Sequence, residues 1–549
     1  MSSLPTPSLP AWFPLVRVAL FVVVVGSLLS VRRLSSGSGR WSDVLRRRFV
    51  LGVPWGTLLT AGIVLAFYLL VQNGLQRPAD PLVVPFIAWS YFYPFGVLTS
   101  PFAHASLGHV TGNLLGTLTL APIAEYAISH YPTRRGSQSF SSLRTNPFVR
   151  VFAIPVGSLV GGLLTGVFSF GPVIGFSGVV FAFAGFALVR YPLVTLLALV
   201  GRRVVGLVYQ SLRNPEIVAS GRTEFVTPWF ANIAIHGHYY GFLLGAIAGL
   251  LVVRARTHRP SSGRLWFGFV GFAVFQALWA LYLPLGGDRY RLYRAVGVGV
   301  VFGLATLLTV AALSSRRPLV RRIDLKRHEA AVGLVVVVLL AMSVVAVPVN
   351  LIAVADQSNA SQGVEIRDYH VFYGEEIPNG YVAGVDVPLY NESQEFNASG
   401  VIVTSERRSL WYPAVRKGQL ARTGNRTVRI GGADWERTVE VNRTGWQVLG
   451  NGTAYKIFFR TDTEPKRLVY TSDRVRADPR VDGRNISIRP TNGSYELVVT
   501  NGNTTLETAP IPEPNNETTV AGLRFNRSGT KLTVFSDDTR IQIASRETH

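Results

Sequence analysis

His236–Gly249 reads HGHYYGFLLGAIAG. Taken as a helix, it carries Gly241, Gly245 and Gly249 one turn apart on a single face, below His238. A stripe of small residues lets a second helix approach closely. A histidine beside such a stripe, in a run apolar enough to enter a membrane, is a functional candidate, because polar groups at bilayer depth are costly. Two other apolar stretches carry polar residues in the same manner. HASLGHVTGN (104–113) sets His109 and Asn113 four apart on one helix face. GFSGVVFAFAG (175–185) presents Ser177, with Gly178 and Ala182 as a small surface that matches the glycine stripe. Each stretch alone has a bland reading: glycine stripes are usually plain helix contacts, and a serine between glycines usually only packs. Their joint occurrence is what points to chemistry.

Outward from these stretches, apolar runs long enough to cross about 30 Å of hydrocarbon recur through the first 355 residues. They fall at 12–31, 49–72, 107–129, 147–170, 175–189, 191–212, 228–253, 264–284, 292–313 and 329–354. The Arg202-Arg203 pair leaves the sixth run's boundaries open. A segment at 81–97, PLVVPFIAWSYFYPFGV, is broken by prolines and aromatics and reads as a structured loop in the outer leaflet. The chain has 549 residues, a formal charge of +22 and no cysteine. In a soluble protein that charge would suggest nucleic acid. Here the first 355 residues hold 30 of the 54 basic but 8 of the 32 acidic residues, so the whole excess lies in the apolar part. The reading is therefore membrane topology, with no nucleic-acid partner. RRLSSGSGRWSDVLRRR, TRRGSQSFSSLR, RARTHRPSSGR and RRPLVRRIDLKR all fall on one side if ten spans alternate, and the positive-inside rule makes that side cytoplasmic. Both termini are then outside.

Depth can be estimated from the same runs. Gly175–Val189 is about 22 Å of helix, too short to span. With its inner end pinned by Arg190, Ser177 lies roughly 10 Å below the outer edge. His238, in a span that begins near Pro228, lies roughly 15 Å deep. The depths agree, and a Ser–His hydrogen bond, the minimum for an activated hydroxyl, is within reach.

The ordered set of a His-x-x-x-Asn face, a Gly-x-Ser-Gly turn and a His-x-x-Gly-x-x-x-Gly helix resembles the rhomboid family of intramembrane serine proteases, over about residues 49–253. The resemblance implies Ser177 as nucleophile, His238 as general base, and Asn113 and His109 with the Ser177 backbone N–H as oxyanion hole. It gives supporting places to Gly175, Gly178, Gly241 and Gly245. Glu125 matches a carboxylate the family uses as a brace, and Phe181 stands where the imidazole packs and many relatives carry Tyr. Phe95-Gly96 stands where relatives often carry a Trp-Arg pair in the outer loop. His236 is an alternative base, but its spacing to Gly241 breaks the pattern. His104, His109, His236 and His238 could be read as a metal cluster, yet no carboxylate or thiolate stands beside them at ligand spacing. No metal and no cofactor is expected.

After residue 355 the pattern changes to short β-prone stretches (YVAGVDVPLY, GVIVTSE, TAYKIFFRT, SYELVVT, KLTVFS) between Asn, Gly and Pro turns, which reads as an antiparallel sandwich. Asn-x-Ser/Thr acceptors occur at Asn359, Asn391, Asn397, Asn425, Asn442, Asn451, Asn485, Asn492, Asn503, Asn516 and Asn526, and none occurs earlier. They support an extracytoplasmic, glycosylated domain. The expected architecture is an all-α polytopic membrane bundle, a six-helix core plus about four additional spans, followed by a C-terminal extracytoplasmic all-β domain. Its parts are 1–48 (an extra helix and basic loop), 49–253 (the protease core), 254–355 (three further helices) and 356–549 (the β domain). The expected partners are the lipid bilayer, transmembrane protein substrates, and the cell envelope through the β domain. Arginine far outnumbers lysine, which with the acceptor sites hints at a prokaryotic, archaeal surface. A catalytically silent relative that binds or routes membrane clients is the alternative; such proteins typically lose the serine or histidine. A transporter would show repeated halves and midplane charges, and neither is evident.

Overall fold

The computed structural model describes residues 13–34, 41–131, 142–143, 145–215, 228–254, 260–286, 289–313, 318–320, 325–354, 362–378, 380–383, 397–450, 452–536 and 539–548. Much of each basic loop, the acceptors Asn359, Asn391 and Asn451, and most of YVAGVDVPLY beyond Tyr381–Ala383 lie outside these residues. The chain divides into two compact units. One comprises Met1–Pro81, Val97–Pro284 and Tyr290–Val347, and the other Leu82–Gly96, Leu285–Arg289 and Pro348–His549.

The first unit is helical. In chain order its helices are α1 (Phe13–Leu34), α2 (Trp41–Arg46) and α3 (Trp55–Ala66, prolonged by a π turn at Phe67–Val71). Then come α4 (Pro94–Thr99, which carries the chain over from the second unit), α5 (Leu107–Ile128), α6 (Pro147–Val151), α7 (Ala153–Phe168) and α8 (Ser177–Arg190). The last are α9 (Pro192–Arg213), α10 (Ile235–Arg254), α11 (Ser262–Phe275), α12 (Arg294–Leu313) and α13 (Arg327–Asn350). Among the described residues, five stretches are long and apolar enough to cross a membrane: Pro147–Phe168, Pro192–Arg213, Ile235–Val252, Arg294–Leu313 and Arg327–Asn350. Val16–Val31, Trp55–Val71, Ser177–Arg190 and Ser262–Phe275 are shorter apolar helices. The protein is a multi-pass membrane protein.

Each apolar run therefore holds a helix, though several are helical only in part. The run at 264–284 is not helical throughout: α11 stops at Phe275, Ala277 takes a positive φ of 54°, and Tyr282–Gly286 pairs with Arg289–Leu292 as a hairpin. The run at 228–253 begins with a 3₁₀ turn at Trp229–Asn232, and α10 starts only at Ile235. Arg202 and Arg203 do not break α9, where Arg203 lies over the Phe275 ring at 5.2 Å.

Helices α8 and α10 meet backbone to backbone along a seam. A methyl added at Gly241 would collide with the Gly178 carbonyl oxygen, at Gly245 with that of Ala182, and at Gly185 with that of Phe242. Only glycine lets two backbones meet this way. Around the seam, Val180, Phe183 and Leu188 of α8 pack with Tyr239, Phe242 and Leu243 of α10 and with Phe269 and Phe272 of α11.

The second unit is β-rich and its pairings are antiparallel. One sheet runs Leu410–Arg416, Asn397–Ser405, Tyr369–Pro378, Gly363–Ile366. A larger sheet is built around Glu436–Val448, whose buried and half-buried residues alternate as the period of a strand requires. A further sheet runs Val475–Arg476, Asn485–Pro490, Tyr495–Asn501, Thr504–Pro510. Trp446, Phe525 and Val534 of the larger sheet and Ile486, Leu497 and Val499 of this one share a core, the arrangement of a sandwich. GVIVTSE, TAYKIFFRT, SYELVVT and KLTVFS all lie on strands. The loop read at 81–97 folds as part of this unit, apart from its two end residues, with a 3₁₀ turn at Val84–Phe86.

Candidate active site

Ser177 is the first residue of α8, and its backbone N–H belongs to the turn whose amides have no acceptor within the helix. His238 stands in the first turn of α10. Their separation is set by the glycine seam, since Gly241 lies against Gly178. Ser177 Oγ is 3.0 Å from His238 Nε2. The imidazole stacks on Phe181, one turn below the serine, with centroids 4.2 Å apart and planes 9° from parallel. Phe181 is held in turn by an edge contact with Phe272 of α11. His238 Nδ1 is buried and has no hydrogen-bond partner among the described residues. Among the described residues the serine and histidine therefore form a pair without a third, orienting carboxylate, and the imidazole is oriented by ring stacking.

The second group of polar side chains comes from α5 and the turn before it. Gly175 has φ +119°, which only glycine adopts easily, and a Cβ there would lie within 2.6 Å of His109 Nε2 and 3.5 Å from Asn113 Nδ2. His109, Asn113 and the Gly175–Ser177 turn thus converge on one place. Asn113 is aimed by His104, whose Nε2 lies 3.0 Å from Asn113 Nδ2. His104 Nδ1 lies 3.1 Å from the Phe102 carbonyl oxygen and must donate there, so Nε2 is the acceptor and the Asn113 amide the donor. Gln72 fixes His104 at both ends, accepting from its N–H at 2.7 Å and donating to its carbonyl at 3.0 Å.

Residues 91–255 match the family model described as Rhomboid domain. This part of the chain is a rhomboid domain. Among curated proteins and solved structures, no match to the chain was found. The matched residues contain Ser177, His238, His109, Asn113, Phe181 and Glu125, and begin after α3.

Glu125 lies at the far end of α5 from Asn113 and braces the rhomboid domain to α3. It is 1% exposed and accepts four bonds: from the Gly56 N–H (2.8 Å), the Thr57 N–H (2.8 Å), the Thr57 hydroxyl (2.7 Å) and His130 Nε2 (2.6 Å). His130 Nδ1 accepts from the Val50 N–H, which leaves the proton on Nε2 for the carboxylate. An anion capping the first turn of α3 is also favoured by the helix dipole.

His236 stacks on Phe170, with centroids 3.5 Å apart, and it is His238 that meets the serine. Among the described residues no three His, Cys, Asp or Glu side chains come together as metal ligands. Beside Ser177 is a cavity of about 30 Å³ walled by small groups, among them Ser100, Gly166, Ser169, Gly178 and Gly237. That is room for one water molecule.

Sequence reading names His104 only as a candidate metal ligand and does not reach Gln72. His104 stands in the quoted HASLGHVTGN stretch, so its place near the site is visible. Its work is not, because it depends on bonds between its own backbone and the Gln72 side chain, 32 residues away.

Proposed function

We propose that this rhomboid protein is an intramembrane serine endopeptidase that cuts transmembrane segments of other membrane proteins. The observation that carries the reading is the 3.0 Å contact between Ser177 Oγ and His238 Nε2, on an imidazole held flat against Phe181. A neutral imidazole accepts the serine proton as Oγ attacks the scissile carbonyl carbon. The carbonyl oxygen becomes an oxyanion, and preorganised donors at Asn113, His109 and the Ser177 N–H stabilise it. The imidazolium passes its proton to the leaving amine, and the acyl group stays on Oγ. Water, activated by the same imidazole, then releases the acyl group and restores the serine. Asn113 suits this work because His104 already holds its amide with a proton to offer.

Substrates are helices with residues near the outer face that unwind easily, since a peptide bond inside a helix is closed to attack. The basic loops favour an orientation with the site opening outward and the β domain outside, carrying N-glycans and meeting the cell envelope. The test is cleavage of a transmembrane reporter in proteoliposomes by the wild type, Ser177→Ala and His238→Ala. Both variants are expected to leave the reporter intact; cleavage by Ser177→Ala at the wild-type rate would end the assignment.

A further inference from the structure

Residues 82–96, between α3 and α5, are held within the β-rich unit. Ser90 donates to the Ile352 carbonyl at 2.5 Å, and the Tyr91 N–H donates to the Asn350 carbonyl at 2.9 Å. Trp89, 1% exposed, packs against Tyr412 at 5.2 Å between centroids. The most specific tie is Arg408. Its guanidinium is bidentate to Asp368, with Nε to Oδ2 at 2.6 Å and Nη2 to Oδ1 at 3.2 Å. Its remaining branch, Nη1, donates to the Tyr93 hydroxyl at 2.7 Å, and the cation lies 4.6 Å over the Tyr369 ring. Tyr93 passes the restraint on by donating to the Pro85 carbonyl at 2.9 Å, which closes the loop on itself. Arg408 and Tyr93 are each 8% exposed, so these are charge-assisted bonds with little competition from water.

Tyr93 leads directly into the supports of the reactive groups. Pro94 opens α4, and Ser100 comes next after it. The Ser100 carbonyl accepts from the Gly175 N–H at 2.9 Å, which fixes the turn that presents Ser177. Four residues later stands His104, which aims Asn113. A short, continuous piece of chain thus runs from the Arg408 anchor to both halves of the site.

We propose that Arg408 of the β domain is a positioning residue for the protease. Its bond to Tyr93 holds the loop, and through α4 it holds the Ser100 and His104 supports of the Ser177 turn and Asn113. The β domain is then required for catalysis. The proposal rests on the protease reading. A planar fork is needed because one guanidinium must serve a carboxylate and a hydroxyl together, which an ammonium cannot do with the same geometry.

The experiment uses the full chain in proteoliposomes, with cleavage rates expressed per probe-reactive Ser177 so that misfolded protein does not count. Tyr93→Phe removes the loop's hydroxyl and leaves the Arg408–Asp368 pair intact. It is expected to lower kcat about tenfold with KM nearly unchanged, the scale of one lost bond to a buried charged group. Arg408→Ala should lose at least as much, and Arg408→Lys should recover part of it. Adding Tyr93→Phe to Arg408→Ala should cost clearly less than Tyr93→Phe costs alone, since the bond they share is already gone and only the Tyr93–Pro85 bond is left to lose. Wild-type kcat in Tyr93→Phe, or additive losses in the double variant, would overturn the clamp while Ser177→Ala stayed inactive. Full activity in Ser177→Ala would instead overturn the protease reading beneath it. Should Arg408→Ala fail to fold, Tyr93→Phe decides the matter alone.

Discussion

Gly241→Ala tests whether the backbone seam sets the reactive distance. The added methyl would meet the Gly178 carbonyl oxygen far inside 3.4 Å, where ordinary contact begins. That atom is backbone and cannot swing aside as the end of a long side chain can, so α8 and α10 must part. Gly241 lies three residues after His238, and Gly178 follows Ser177 directly, so the displacement falls on the reactive pair. An opening of roughly 1 Å takes the 3.0 Å contact out of hydrogen-bond range, and misplacement on that scale costs about 100-fold in rate. Stability changes less: overpacking costs about 1–3 kcal/mol, offset in part by the roughly 1 kcal/mol that alanine gains over glycine inside a helix. The assay pairs reporter cleavage in proteoliposomes with thermal unfolding in detergent. Gly249→Ala is the control, since its methyl would lie 3.0 Å from the Phe186 oxygen and needs only a small adjustment. A folded Gly241→Ala protein with wild-type kcat would refute the claim that the seam positions the pair.

Other changes separate the remaining parts of the mechanism. Asn113→Ala removes a preorganised donor and should lower kcat about 100- to 1,000-fold with little change in KM, read from steady-state cleavage. Glu125→Gln places an amide where four donors converge, and denaturation should show a loss of about 3 kcal/mol while the folded fraction keeps its Ser–His pair. In the β domain, Asn425, Asn492, Asn503 and Asn516 are exposed, whereas Asn485 is 7% exposed and accepts from Arg480 Nε at 3.1 Å. Glycopeptide mapping of the protein from its native membrane should find sugars at the exposed acceptors and none at Asn485.

What the sequence reveals and what it hides divides along a physical line. The meeting of Ser177 with His238 could be read because each lies on its own helix beside small residues at helical spacing, and helix rise converts position into depth. The stacking of His238 on Phe181 is implied by the rhomboid resemblance and not by spacing alone. The early end of α11 was hidden, since apolar residues at 276–284 satisfy a hydropathy window whether helical or paired as a hairpin. Asn485 shows the limit of a motif: the acceptor triplet is local, but burial depends on the sheet around it. The holding of residues 82–96 by Asn350, Ile352 and Arg408 joins positions about 260 to 315 apart, through backbone carbonyls and one guanidinium that no local pattern marks.

The central claim is that Ser177 is an activated nucleophile. Its most direct test is labelling of the purified full-length protein by a serine-directed fluorophosphonate, with the modified residue located by peptide mass spectrometry. The account predicts one adduct, on Ser177, abolished in Ser177→Ala and strongly slowed in His238→Ala. An adduct on another residue, or labelling that persists in Ser177→Ala, would contradict it.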